Sequence, residues 1–302
     1  MGGHPAGPPM AECGVPQMLG SKVIKPPDLV LVAGAEGILG GTLFYELLRS
    51  EFNIRCLIRA EDENKIDRKP GVEFFYCNPW NGDIPENAFD GVKYVVNVVS
   101  PLNTGSMPSG DMEAFERLSN ILITRCVSRQ LGRYIGISSV NLSESERDGW
   151  TFASRRLETS AVNSGAPYTI IRSGLLIDAP NDDVLKRIGS GGLGSLLGRM
   201  RAERFYVTSM KALTETVAKA LKTDQSENRV YEVVLGNQMS RKEIGKTASR
   251  IRQGTSRSPW EAEIQAELSA GRYGGNIAQL SDLEIKLPEK GVPVAAPGMS
   301  HR

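Results

Sequence analysis

The sequence predicts a doubly wound α/β domain built on a parallel sheet. Three observations carry this: short apolar runs recur from Leu29 onward, segments with apolar residues at helical spacing lie between them, and the first run opens directly into a glycine-rich turn. The expected strands are Leu29 to Ala33, Ile54 to Ile58, Val72 to Cys77, Tyr94 to Val99, Tyr134 to Ser138, Tyr168 to Arg172 and Tyr231 to Leu235. Runs that short and that apolar suit strands covered by helices on both faces. Leu39, Leu43, Leu47 and Leu48 mark the first helix; Phe115, Leu118, Leu122 and Cys126 mark a second, and Leu213, Val217 and Leu221 a later one.

This pattern bounds one domain over residues 28–253, with flanks of different texture. Residues 1–27 hold six prolines (Pro5, Pro8, Pro9, Pro16, Pro26 and Pro27) without an amphipathic period, and read as a flexible Gly/Pro-rich tail. They show neither the apolar core of a signal peptide nor the Arg-rich pattern of an organelle presequence. Residues 254–302 read as a C-terminal extension, with a short amphipathic segment at Trp260 to Leu268 and an extended end containing Pro288, Pro293 and Pro297. Two readings of it stay open: docking to a protein partner, or packing of the helix back on its own sheet.

Composition excludes several classes of chemistry. Lys plus Arg number 36 and Asp plus Glu 35, so the net charge of +1 gives no electrostatic reason to expect nucleic acid or an anionic membrane as a partner of the whole chain, local basic patches aside. No apolar run is long enough to span a bilayer. The only histidines, His4 and His301, lie at the chain ends, which disfavours Ser-His-Asp hydrolysis and histidine-ligated zinc. Cys13, Cys56, Cys77 and Cys126 are scattered with no C-x-x-C pair, as expected of buried thiols in a reducing compartment.

The first strand runs into Gly34-x-x-Gly37-x-x-Gly40 and then a helix. Gly34 permits the sharp turn, Gly37 a close backbone approach to a pyrophosphate, and Gly40 close packing of helix on sheet, while the free N–H groups of the helix end hold the phosphates. Together with the strand ending Leu57-Ile58-Arg59, the serine turn Ser138-Ser139-Val140 and the segment Glu158-x-x-x-x-x-Ser164-Gly165-Ala166-Pro167-Tyr168-Thr169-Ile170-Ile171-Arg172-Ser173-Gly174, this turn resembles the atypical short-chain dehydrogenase/reductases of the NmrA-like, NAD(P)-binding branch. The resemblance runs from residue 29 to about 240, and its texture is nearest the chloroplast members associated with the import translocon.

The resemblance implies a Rossmann domain that holds a dinucleotide cofactor. It implies that backbone from Glu36 through Ile38 to Leu39 faces the pyrophosphate, and that Arg59 lies at the adenosine ribose, where a guanidinium suits a 2′-phosphate. Asn78 takes the place of an adenine-contacting Asp; Val98, Val99 and Ser100 end the strand that passes under the two riboses. Ser138, Ser139 and backbone from Ser173 through Leu175 to Leu176 then surround the nicotinamide, with Ser139 the foremost polar contact for a substrate. Glu36 departs from the family pattern, because a carboxylate there repels a 2′-phosphate and suits a free ribose diol. Arg59 and Glu36 therefore disagree, and the expectation is NADP(H), with NAD(H) as the alternative.

Hydride transfer at a carbonyl in this family commonly uses Tyr-x-x-x-Lys, whose tyrosine donates the proton. This chain has Trp150-x-x-x-Ser154 at that place, and neither group titrates near neutrality. No residue is assigned as the catalytic acid. The expectation is a cofactor-bound, redox-responsive subunit or assembly factor; the alternative is an NADPH-dependent reductase of a quinone, flavin or other small acceptor. Residues 187–195, a glycine-rich loop, are expected to act either as a lid over ligand or as a plain linker.

Overall fold

The computed structural model describes residues 28–66, 68–99, 109–140, 149–178, 204–256, 259–269 and 283–286. The N-terminal tail, Ser100, the 187–195 loop, Cys13 and both histidines lie outside the described residues. The expected strands form as β1 (Leu29–Ala33), β2 (Asn53–Ile58), β3 (Val72–Tyr76), β4 (Val92–Asn97), β5 (Arg133–Ser139), β6 (Tyr168–Ser173) and β10 (Arg229–Leu235). They hydrogen-bond in the order β3-β2-β1-β4-β5-β6-β10, all in parallel. Strand order reverses between β1 and β4, and a crevice at that switch point is where sheets of this kind take ligands.

Alternation along the strands divides the interior into two layers. Val30 and Val32 face one way, with the buried Leu39, Leu43 and Leu47 of α1 (Ile38–Arg49) and Leu213, Val217 and Leu221 of α4 (Met210–Lys222). Leu31 and Ala33 face the other, with Phe115, Leu118, Leu122 and Cys126 of α2 (Ser109–Ser128) and Ala153, Leu157 and Ala161 of α3 (Gly149–Asn163). The helical spacing read from the sequence is thus the spacing of the faces that cover the sheet.

Two ion networks tie the far half together. Glu158, quoted above as part of a motif, accepts two hydrogen bonds from Arg172, 3.0 Å from Nε to Oε1 and 2.8 Å from Nη2 to Oε2, and Arg172 also reaches Glu232 on β10 at 3.3 Å. That part of the motif is structural. Arg133 is buried at the start of β5 and caps the end of α4, donating to the carbonyls of Ala220 (2.6 Å) and Thr223 (3.0 Å) and to Ser226.

Short strands complete the domain: β7 (Leu175–Leu176) pairs with β9 (Val207–Thr208), and β8 (Arg204–Phe205) with β11 (Met239–Ser240). After them come α5 (Arg241–Gln253) and α6 (Pro259–Ser269), the latter where an amphipathic segment was expected. Ile264 of α6 is buried with Ile244, Ala248 and Ile251 of α5 and with Leu235 of β10. Lys211 of α4 donates to Glu263 at 3.2 Å. Further on, β12 (Leu283–Lys286) pairs antiparallel with β10, Leu235 opposite Leu283. The described parts of residues 254–302 are therefore joined to the domain, as in the second of the two open readings, and the sheet has an eighth strand that the proline-containing end did not suggest.

Candidate functional site

The glycine turn lies at the carboxyl end of β1, against the chain leaving β4. Gly34 adopts φ +93°, and a side chain there would come within 2.9 Å of Val99 Cγ2 and Val99 N. Gly40 admits no side chain at all, since its Cβ would stand 1.9 Å from the Gly34 carbonyl oxygen. Gly37 differs: its φ of −79° suits any residue, and its Cβ would meet only the Gly34 oxygen, at 3.3 Å. It caps α1, no side chain caps that helix, and no acidic residue occupies its first turn. The N–H groups of Ile38, Leu39 and Gly40 open the helix, and the positive end of the helix dipole lies with them.

β4 ends earlier than expected, at Asn97 rather than Val99, because Asn97 turns the chain. Its Oδ1 accepts from Val99 N–H at 3.2 Å, and its Nδ2 donates to Ser119 Oγ (3.0 Å) and Tyr134 Oη (3.2 Å). Val98 N–H donates to the Ala33 carbonyl at 3.0 Å. This buried network holds Val98 and Val99 against Gly34, and sequence reasoning passed over it, although a lone amide at the end of an apolar strand is its signal.

Beyond the end of β2 stands a cluster of charges. Arg59 follows β2, as expected, but its guanidinium is engaged: Nε and Nη2 lie 2.8 Å and 2.7 Å from Asp62 Oδ2, and Nη1 lies 3.1 Å from Glu61. Lys65 Nζ meets the other oxygen of Asp62 at 2.6 Å. Burial opposes ionisation of Asp62, yet the hydrogen bonds from Lys65 and Arg59 outweigh it and hold this carboxyl below its ordinary range. Glu36 is the opposite case. Burial pushes its carboxyl up; a hydrogen bond from its own backbone N–H works against that, Asp62 adds to the rise, and Arg59 and Lys65 oppose it.

Buried polar atoms without a hydrogen-bond partner are not confined to this region, since Arg133 Nε at the start of β5 and Glu215 Oε1 on α4 are among them, but four oxygens lie on residues around it. Glu36 Oε2, Asn78 Oδ1, Ser138 Oγ and Ser154 Oγ are buried and have no hydrogen-bond partner. Glu36 follows β1, Asn78 follows β3, Ser138 is on the last turn of β5's ladder, and Ser154 is on the second turn of α3, which starts beyond that strand end. All four belong to the carboxyl end of the parallel sheet. An unsatisfied buried oxygen costs about 1–3 kcal/mol, so four of them along one edge fit a polar, elongated ligand that supplies their partners. A dinucleotide has that form, with a pyrophosphate for the α1 terminus. Of the remaining expected residues, Ser139 is buried beside Ser138, and Leu175 is in β7 with its N–H committed to the Tyr206 carbonyl at 2.9 Å. Arg156 pairs with Glu116 at 3.3 Å on the helix surface.

The thiols add no reactivity here. Burial pushes Cys56 and Cys126 up to about 12 and Cys77 up to about 11. Among the described residues, no helix is long and apolar enough to cross a membrane.

The fold is shared with many solved structures. An epimerase from Methanothermobacter thermautotrophicus superposes with a TM-score of 0.57 at 13% identity, covering 79% of this chain and 82% of that one. The enzyme WbmH of Bordetella bronchiseptica, solved in complex with NAD+, gives 0.55 at 11% identity over 77% and 84% of the two chains. An oxidoreductase from Lactococcus lactis gives 0.51 at 13% identity over 72% and 95%. At these identities the likeness is one of fold. No curated protein matches the chain in sequence. The sequence profile described as NAD(P)H-binding, however, matches residues 34–204, more than half of the chain and inclusive of the glycine turn, Arg59, Asn78, Ser138 and Leu175. The chain belongs to this NAD(P)H-binding family.

Proposed function

We propose that this protein holds a nicotinamide dinucleotide across the β1/β4 crevice and works as a cofactor-bound, redox-responsive subunit or assembly factor. The observation that carries the binding half is the uncapped start of α1 behind Gly37, flanked by buried oxygens without partners on both sides. In this reading the N–H groups of Ile38 and Leu39 take the pyrophosphate, Glu36 and Asn78 the adenosine end, Val98, Val99 and Ser100 the floor, and Ser138, Ser139 and Leu175 the nicotinamide end.

The functional half rests on the residues at positions 150 and 154. Bound dinucleotide supplies a hydride donor or acceptor, but a carbonyl acceptor also needs a proton, and the chain offers Trp150 and Ser154 in place of a tyrosine and a lysine. The finer likeness to translocon-associated chloroplast members, and with it a plastid or cytosolic setting, belongs to this proposal. So does a protein partner reached through residues 254–302, which would use the parts of that segment outside the α5/α6 contact, because Ile264 already packs inside the domain.

A second reading, reduction of a quinone, flavin or other small acceptor, draws on the unpaired hydroxyls of Ser138 and Ser154, which suit an acceptor carbonyl. Purified protein mixed with NADH or NADPH and a panel of aldehydes, ketones, quinones and flavins separates the two. Cofactor binding with no loss of reduced-nicotinamide absorbance is the expected result; turnover of a ketone or aldehyde contradicts the account, and turnover confined to quinones or flavins transfers it to the second reading.

A further inference from the structure

We propose that Glu36 sets which dinucleotide this chain accepts, selecting NAD(H) against NADP(H) by receiving the hydroxyl of an unphosphorylated adenosine ribose. The proposal rests on the reading that a dinucleotide lies on the glycine turn, and it reverses the preference that Arg59 alone suggested.

Two observations support it from different sides. The first is Glu36 itself, which is held in the turn with Oε2 buried and without a hydrogen-bond partner. A ribose hydroxyl donates a hydrogen bond, so it meets the need of that oxygen, and hydrogen bonds to charged acceptors are worth about 1.5–3 kcal/mol. A phosphate ester at the same position has no such proton to give at neutral pH and brings its own negative charge toward a carboxylate.

The second is the state of the cations. A 2′-phosphate needs an available guanidinium or ammonium group, and the two that stand near Glu36 are both on Asp62: Lys65 at 2.6 Å on Oδ1 and Arg59 at 2.7 Å on Oδ2, with Glu61 a further 3.1 Å from Arg59. Asp62 is almost wholly buried, its side chain 2% exposed, so it is not free to swing into solvent and release them. The groups facing Glu36 are thus Asp62, Arg59 and Lys65 from the turn after β2, Cys56 from β2 and Cys77 after β3, and the two thiols stay neutral. Each cation in the cluster therefore already has a carboxylate partner, Lys65 on Asp62 and Arg59 on Asp62 and Glu61. To bind NADP(H), Arg59 would have to leave a buried partner, and the uncompensated charge of Asp62 would remain behind.

Calorimetric titration of the full chain with NADH and with NADPH tests this, for the wild type and for Glu36→Gln, whose side chain keeps the size and loses the charge. The expected result is NADH binding at least about tenfold tighter than NADPH in the wild type, a ratio equivalent to ~1.4 kcal/mol. The ratio is expected to shrink by about tenfold in Glu36→Gln, with NADPH gaining and NADH losing affinity. Wild type that binds NADPH as tightly as NADH, or more tightly, overturns the proposal whatever the variant does and leaves dinucleotide binding intact. An unchanged ratio in a Glu36→Gln protein that melts like the wild type overturns the role of Glu36. Failure of both nucleotides to bind the wild type overturns the underlying reading as well.

Discussion

Asp178 illustrates how a single residue can be placed well by hydrogen bonds and still be uncomfortable as an ion. Both of its oxygens accept from the Met210 N–H, at 3.0 Å and 3.1 Å, at the first residue of α4, where an anion suits the helix end. Burial nevertheless dominates and pushes the carboxyl up to about 6. In the unfolded chain the same group titrates near ~3.9. The folded state therefore holds the proton more tightly, and the stability this confers is fully present below the unfolded value and is lost as pH rises through about 6. Urea unfolding at pH 4 and pH 7 should show the wild type losing on the order of 1–3 kcal/mol relative to Asp178→Asn across that interval. Parallel pH profiles for the two proteins would refute this. At the same scale, the glycines and Arg59 were legible in the sequence because a turn signature and a strand end locate them. The engagement of Arg59 was not, since its partners Glu61 and Asp62 sit in the 3₁₀ turn Ala60–Lys65, where no apolar period reports geometry.

Among the elements, the seven parallel strands were readable because strands covered on both faces must be apolar throughout, and the three expected helices because each shows one apolar stripe. Two-residue strands such as β7, β8, β9 and β11 carry no period at all. The helix α5 is mostly polar, Arg241-Lys242-Glu243-Ile244-Gly245-Lys246, and hid for that reason. Its ends are nevertheless written in the chain: Ser240 and Glu243 form a reciprocal capping box, and Gly254 closes it at φ +76°. The antiparallel edge strand β12 lay among prolines, which suggested an open tail. Because Ile264 and β12 are built into the domain, deleting residues 257–302 should lower stability by about 3 kcal/mol, through exposure of the Ile244, Ala248 and Ile251 surface and loss of edge pairing on β10. Nucleotide affinity should be retained, since β10 lies four strands from β1 in the sheet. Denaturant unfolding and titration of the truncated chain check both halves; an unchanged unfolding midpoint would mean that these contacts add nothing.

For the molecule as a whole, the order of the sheet decides where function concentrates. Winding reverses between β1 and β4, the glycine turn and the Asn97 network meet at that switch point, and four of the buried oxygens without partners, those of Glu36, Asn78, Ser138 and Ser154, belong to residues that follow or end strands there or to the helix after β5, while Glu215 Oε1 is on α4. The glycine turn, the proposed phosphate end, was legible in the sequence because glycine spacing is local in the chain. The proposed ribose and nicotinamide ends depend on residues brought together after β1 and β3, in β5 and in α3, and only the folded chain shows which of their oxygens lack a partner. The claim that a dinucleotide lies here is tested most directly at Gly37, where a side chain is compatible with the backbone but stands at the mouth of α1. Calorimetric titration of wild type and Gly37→Val with NADH should give saturable one-site binding for the first and no measurable binding for the second, with both proteins melting cooperatively within a few degrees of each other. Wild-type binding that survives unchanged in a folded Gly37→Val protein, or a wild type that does not bind, would contradict the account.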